Sequence, residues 1–236
     1  MEFNELKDEL LKRAKSRNAC EKGYAMGLRS NSKADLLKTI TDNWFWVFRN
    51  AKIVDAQFLE EHFTQEELNQ AGIFTQKVHV VTSMNAFACG SSTVEAYGSS
   101  TITAYDSSTV TACDSSTITA YDSSTVTACD SSTITAYDSS TVKACGSSTI
   151  KACDSSTITA YGSSTVKACG SSTVTAYDSS TVKACDSSTV EAYSNSYVEN
   201  RTGKEILPQS DYAIVKDYHK HKIYIKKSKF EIVEVE

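Results

Sequence analysis

From residue 90 to residue 193 the chain is thirteen consecutive copies of one octad, [Gly/Asp]-Ser-Ser-Thr-[Val/Ile]-x-Ala-[Tyr/Cys], without insertion or deletion. A period of eight is too short for a helix pair, and it lacks the apolar i, i+3, i+4, i+7 spacing of an amphipathic helix. Within each octad, as in DSSTVTAC (106–113) or DSSTITAY (114–121), Ser, Val/Ile and Ala alternate with Thr and the variable sixth residue. Alternation around a β-branched centre describes a half-buried strand. The Asp/Gly-Ser-Ser start supplies a corner, because Asp and Ser side chains bond nearby backbone amides and Gly tolerates unusual dihedrals. One strand of this kind buries almost nothing, so the octads must stack as coils of a β-solenoid. A disordered Ser/Thr-rich stalk would not hold Val or Ile fifth and Ala seventh in every copy.

The eighth position sets the coil length. Successive octads pair Cys89 with Tyr97, Tyr105 with Cys113, Tyr121 with Cys129 and Tyr137 with Cys145; the order then reverses, pairing Cys153 with Tyr161, Cys169 with Tyr177 and Cys185 with Tyr193. One large and one small residue per sixteen fits a coil of two facing strands. Two placements are open: inward, with large offsetting small in a close-packed interior, or outward as two ladders. Seven coils at about 4.8 Å make a rod of roughly 34 Å, and its open ends are sheet edges that need cover. Residues 73–89 read as a transitional coil with Val78, Val80, Ala86 and Ala88 in apolar positions. Residues 194–236 read as degenerate coils and charged capping strands, with Lys216, Lys220, Lys222, Lys226, Lys227 and Lys229 as edge protection.

Residues 1–72 are a different object. Phe3, Leu6, Leu10 and Ala14 share one helical face; Leu36, Leu37, Ile40, Trp44, Val47 and Phe48 form a longer one; Phe58, Leu59 and Phe63 a third. Thr64 with Glu67 matches a capping box, and Gly72 suits a helix end. The pattern predicts a helical domain of three to five helices, and the chain as a whole is α+β. Trp46 lies off the apolar stripe; it marks a docking surface or packs against the first coil.

Charge is unevenly divided. The octads carry eight Asp and two Glu against four Lys, a net of −6 within a chain of net −5. Asp106, Asp114, Asp122, Asp130 and Asp138 are read as a ladder along the corners, and an acidic rod argues against direct nucleic-acid binding. The same ladder could imitate a nucleic acid and occupy a partner's basic groove. Seven Cys fall at multiples of eight, never as C-x-x-C, and no ligand set completes a metal site. His62, His79, His219 and His221 form no such set either. No phosphate loop, nucleophile elbow or paired carboxylates stand out, and a side chain repeated thirteen times is not a singular catalytic group. The expectation is therefore a non-enzyme without cofactors. No apolar run approaches the ~20 residues of a membrane span, and the N-terminal residues lack a secretion signal, so the expected location is the cytoplasm, away from membranes.

The octad core Ser-Thr-Val-Thr-Ala, as at 108–112 and 172–176, resembles the octapeptide of bacterial ice-nucleation proteins over residues 90–193. The whole arrangement is also similar to uncharacterised repeat proteins of gut bacteria and their mobile elements. The first resemblance implies a sixteen-residue coil and Thr-x-Thr rows that order water. Those rows would be Thr101/Thr103, Thr117/Thr119 and Thr133/Thr135 on one face, with Thr109/Thr111, Thr125/Thr127, Thr157/Thr159 and Thr173/Thr175 on the other. Lys interrupts both. The functional expectation is a binding scaffold that presents Thr, Asp and Tyr ladders to a protein partner or, as a homodimer through the solenoid faces, to a second copy of itself. Ice or another ordered surface is the alternative ligand.

Overall fold

The structure, a computed structural model, describes residues 1–226. Five α-helices come first: α1 (Phe3–Ser16), α2 (Glu21–Arg29), α3 (Lys33–Asp42), α4 (Ala56–His62) and α5 (Gln65–Gln70). Local chemistry sets their starts. Ser32 accepts the amide of Asp35, Asp55 that of Phe58, and Thr64 forms the reciprocal capping box with Glu67. The long apolar face read from Leu36 to Phe48 is not one helix. It breaks at Asn43, whose side-chain amide donates to Thr39 O at 2.8 Å, and resumes as a π-helical segment over Phe45–Asn50. Leu6, Leu37, Leu59 and Leu68 are fully buried at the head's centre.

Each octad then forms a strand of four residues, five in the first, and strands sixteen residues apart pair in parallel: Thr101 with Thr117, Ile102 with Ile118, Thr117 with Thr133. Alternate octads therefore enter alternate sheets, a long one of eleven strands and a short one of eight. Between them lie the Val/Ile and Ala columns, at 1% exposure or less in nearly every coil. Each buried Val or Ile contributes about 1.5–3 kcal/mol, against which the ordering of eight residues must be set. The third-position Ser is also buried. In most octads its hydroxyl donates to the carbonyl three residues back, as in Ser132 to Cys129 O at 2.9 Å and Ser180 to Tyr177 O at 2.6 Å, so a polar side chain is tolerated inside; the hydroxyls of Ser92, Ser124 and Ser140 are buried without a partner.

The corners explain the Gly/Asp choice at position one. Every such residue has positive φ, for example 58° at Asp106, 53° at Asp178 and 70° at Gly146, a region in which Gly is free and Asp among the few tolerated alternatives. At six of its eight corners Asp adds a bond. Its carboxylate accepts the corner N–H one coil earlier, for example Asp114 from Gly98 at 2.9 Å, Asp178 from Gly162 at 2.9 Å and Asp186 from Gly170 at 3.1 Å.

Position eight lies outside the two-sheet core. Positions five and seven point inward, so the parity of the strand turns position eight outward at the corner, and it forms two ladders. One column holds Cys89, Tyr105, Tyr121, Tyr137, Cys153, Cys169 and Cys185; we call it the head edge, because the helices pack there. The other, the open edge, holds Tyr97, Cys113, Cys129, Cys145, Tyr161, Tyr177 and Tyr193. Pairing one Tyr with one Cys per coil thus has nothing to do with filling an interior.

Both ends of the rod are closed. At the N-terminal end, Ile73–Phe74 pairs with Asn85–Ala88, and Val78–Thr82 with Thr93–Tyr97. Ala86 and Ala88 take the expected apolar positions, but Val78 and Val80 do not. They stand opposite the outward Thr93 and Glu95 and are 63% and 66% exposed, while Val81 fills the interior beside Ala96. At the other end Ile214–Asp217 continues the long sheet in parallel and Lys222–Ile225 closes it antiparallel, which removes the parallel template. The Ala column ends in polar residues: buried Asp217 accepts the amides of Lys220 and His219 at 2.9 Å and the side chain of Asn200 at 3.1 Å. The amide of Lys220 leads in holding that carboxyl below its usual range. Lys216, Lys220, Lys222 and Lys226 belong to this cap; Lys227 and Lys229 lie outside the described residues. Among the described residues no helix is long and apolar enough to cross a membrane.

Candidate functional site

The head covers part of one edge through aromatic packing. Trp44 meets Phe87 at 5.8 Å and Tyr121 at 5.2 Å, and Phe48 meets Phe87 at 4.7 Å and Tyr105 at 5.9 Å. The Tyr105 hydroxyl donates to Phe48 O at 3.3 Å. Burial pushes the phenol of Tyr105 up, with the Asp122 carboxylate adding to it. Arg49 completes the contact. Its guanidinium lies 5.0 Å from the Tyr121 ring and donates to Asp138 at 2.8 Å. Tyr137 stacks on Tyr121 at 5.0 Å, one strand spacing further along the rod.

Beyond Cys145 and Cys153 the tyrosines change sides. Tyr161, Tyr177 and Tyr193 stack along the open edge at 5.0 and 5.1 Å, half-buried and untouched by the helices. Lys143 holds its ammonium 5.6 Å from the Tyr161 ring, and the Tyr193 hydroxyl lies 3.4 Å from Glu191.

The five aspartates read as one ladder divide between the edges. Asp106, Asp122 and Asp138 belong to the head edge and are half-buried there; Asp114 and Asp130 are exposed on the open edge. Burial is the main reason the carboxyl of Asp106 is raised, with Asp122 and Asp55 adding to it and the Gly90 amide opposing.

The threonines divide in the same way. Thr101, Thr117 and Thr133 are exposed on the long sheet, with Thr103, Thr119 and Thr135 half-buried beside them. Their column continues as Lys151, Lys167 and Lys183, in register in adjacent strands. On the short sheet Thr109, Thr125, Thr141, Thr157, Thr173 and Thr189 form one unbroken column. The column beside it runs Thr111, Thr127, Lys143, Thr159, Thr175 and Glu191.

Trp46 is not the residue that meets the first coil. That role falls to Trp44, immediately before the π-helical segment, and Phe48 within it, both of which meet Phe87. Trp46 and Val47 instead line an apolar cavity of about 170 Å³ inside the head, among α1, α2 and α3, with Cys20 and Tyr24 also in its wall. This cavity holds no cluster of titratable groups.

The thiols of Cys113, Cys153 and Cys169 are pushed up chiefly by burial, that of Cys89 most, which disfavours the nucleophilic thiolate. Among the described residues no three His, Cys, Asp or Glu side chains converge as a metal site would require. The sequence hint to the divided ladders is the Cys145/Cys153 reversal; Trp44 and Phe48 are legible as part of an apolar face but not as a contact with the rod, and Arg49 has no periodic signature. No family model, curated protein or solved structure matches this chain.

Proposed function

We propose that the protein is a non-catalytic scaffold whose rod offers periodic outer surfaces to a macromolecular partner. One observation carries this reading: inside the rod the repeat varies only between Val and Ile, whereas the changes of charge and of polarity, Thr for Lys or Glu and Tyr for Cys, all point outward. A repeat whose changes of chemistry lie at its surface is organised for recognition by that surface. In this reading the aspartates serve first as architecture, since their carboxylates close the corners. An acidic imitation of nucleic acid would be left with the exposed carboxylates Asp114, Asp130 and Asp178 on one edge and Asp154 and Asp186 on the other, two separate rows. The test is capture of proteins from the native host by the intact chain and by a Thr157→Lys, Thr173→Lys variant. A protein retained by the first and lost from the second is expected. Identical retention by both would end the proposal for the short-sheet face.

The short sheet favours a second reading, binding to ice or another ordered surface. Its Thr rows repeat at about 4.8 Å between coils and about 7 Å along the strand, a flat hydroxyl lattice, and the octad resembles that of ice-nucleation proteins. Recrystallisation inhibition that disappears in Thr157→Leu, Thr173→Leu is the expected result. Absence of any effect on ice growth in the unaltered protein discards this reading.

A further inference from the structure

We propose that the open-edge ladder of Tyr161, Tyr177 and Tyr193 is the docking site for a short helix of a partner protein, one that carries adjacent aromatic residues and an arginine. The proposal deepens the scaffold reading and rests on it. Its basis is an internal repetition with one occupied and one vacant member.

Tyr161, Tyr177 and Tyr193 follow Tyr105, Tyr121 and Tyr137 by fifty-six residues each, seven octads or three and a half coils. The second ladder is therefore the first rotated half a turn about the rod and moved about 17 Å along it. Where the rings stack the spacing is the same, 5.0 Å between Tyr121 and Tyr137 and 5.0 and 5.1 Å in the second ladder, while Tyr105 packs edge-on against Phe48. The difference is cover: Tyr105 and Tyr121 are buried under the head, whereas their counterparts are not.

What covers the first ladder defines what the second fits. Trp44 and Phe45 lie 5.2 and 6.3 Å from the Tyr121 ring, and Arg49 joins the same ring to a carboxylate at the next corner. On the open edge the residue equivalent to Asp138 is Ser194, but a carboxylate is restored from the flanking strand, where Glu191 replaces the equivalent Thr135 and already reaches the Tyr193 hydroxyl. An arginine over Tyr177 would find Glu191 as its partner. The chain's own head cannot reach the second ladder. Only Ala71 and Gly72 separate α5 from the strand Ile73–Phe74, so the head is fixed to the other edge. The head of a second copy is held in the same way, which makes the occupant a different protein.

The test uses the full chain and a fluorescent peptide of residues 41–52, left free to adopt the π-helical turn of Phe45–Asn50, as probe, read by anisotropy. Saturable binding is expected. It should weaken at least tenfold in the triple variant Tyr161→Ser, Tyr177→Ser, Tyr193→Ser and several-fold in Glu191→Gln, and persist in Cys169→Ser on the other edge. Serine is close in size to the Cys that fills this position in other coils, and circular dichroism with urea denaturation verifies that the triple variant folds. No saturable binding, or equal binding by the triple variant, overturns the proposal, as does self-association of the unaltered chain that the triple variant abolishes. Host-protein capture that depends on Thr157 and Thr173 but survives the triple variant would sink the ladder while leaving the scaffold reading standing.

Discussion

Arg49 of the head and Asp138 of the rod are 89 positions apart in sequence and 2.8 Å apart in space. Each side chain is less than a third exposed, and the guanidinium also covers Tyr121, so this contact adds an ion pair to the aromatic packing that joins head to rod. Replacing Arg49 with Ala is expected to cost about 1–2 kcal/mol, more than a surface ion pair would. Arg49→Lys should recover part of this, since an ammonium keeps the charge but not the planar stacking. Urea denaturation followed by tryptophan fluorescence reads the loss, because Trp44 stands at the same junction. A change indistinguishable from zero in Arg49→Ala would show that the aromatic packing alone joins head to rod.

Asp106 gives the junction a pH dependence of definite sign. Its carboxyl is raised above the usual range, first by burial and then by Asp122 and Asp55. Between the ordinary and raised values the folded chain binds more protons than the unfolded one, so this group's contribution to stability falls as pH rises through that window, and the penalty persists above it. Asp106→Asn keeps an acceptor for the Gly90 amide and tolerates positive φ. The variant is expected to be more stable than the parent at neutral pH and to lack the decline through the window. Denaturation midpoints across mildly acidic pH decide it; parallel curves for the two proteins would refute the assignment.

The corner aspartates separate backbone demand from charge. At Asp178, φ is 53° and the carboxylate accepts the Gly162 amide at 2.9 Å. Asp178→Gly removes the bond but relaxes the backbone, and Gly already fills this place in neighbouring coils, so a change within about 1 kcal/mol is expected. Asp178→Ala loses the bond and keeps the strain, for about 1–2 kcal/mol or more. Thermal unfolding of the two variants ranks them. The reverse order would mean that the carboxylate, not the dihedral, selects this residue.

How far sequence reaches into this structure depends on the range of the interaction involved. The coil length, the inward Val/Ile and Ala columns and the Thr64 cap follow from spacing alone, because each is decided within one or two octads. Strict parity also places position eight outside; the size alternation of Tyr and Cys argued for the interior only because it ignored that parity. Val78 and Val80 mislead for a related reason. Before the repeat begins there is no periodic frame, and pairing with Thr93 and Glu95 sets their direction. Trp44, rather than Trp46, meets the rod because the chain leaves α-helical geometry after Asn43, a break that the apolar stripe conceals. The division of the aspartates between edges follows from the coil count, yet which edge the head covers is a tertiary fact that no local pattern encodes.

The octad at residues 146–153 controls where the second ladder lies. It ends in Cys153 and follows an octad ending in Cys145, so two small residues occur in succession and every later tyrosine is shifted by half a coil. Deleting these eight residues keeps the strand-corner rhythm and rotates the remainder of the rod by half a turn. Tyr161 would then stand one coil beyond Tyr137, giving a single ladder of six tyrosines on the head edge. The deletion is expected to fold, because every strand retains a parallel neighbour of identical pattern. Its new register is checked by placing Cys at 137 and 161: neighbours about 4.8 Å apart along the rod fall within reach of a disulfide, whereas in the parent they occupy opposite edges. A disulfide joining 137 to 161, identified by peptide mapping because native cysteines also neighbour both positions in the parent, is expected in the deletion background alone. That same 137–161 disulfide in the parent, or in neither protein, would show that the coil does not turn on sixteen residues. The same deletion should carry the peptide site to the head edge with its binding retained, since Tyr161, Tyr177, Tyr193 and Glu191 all follow the deleted octad and move together.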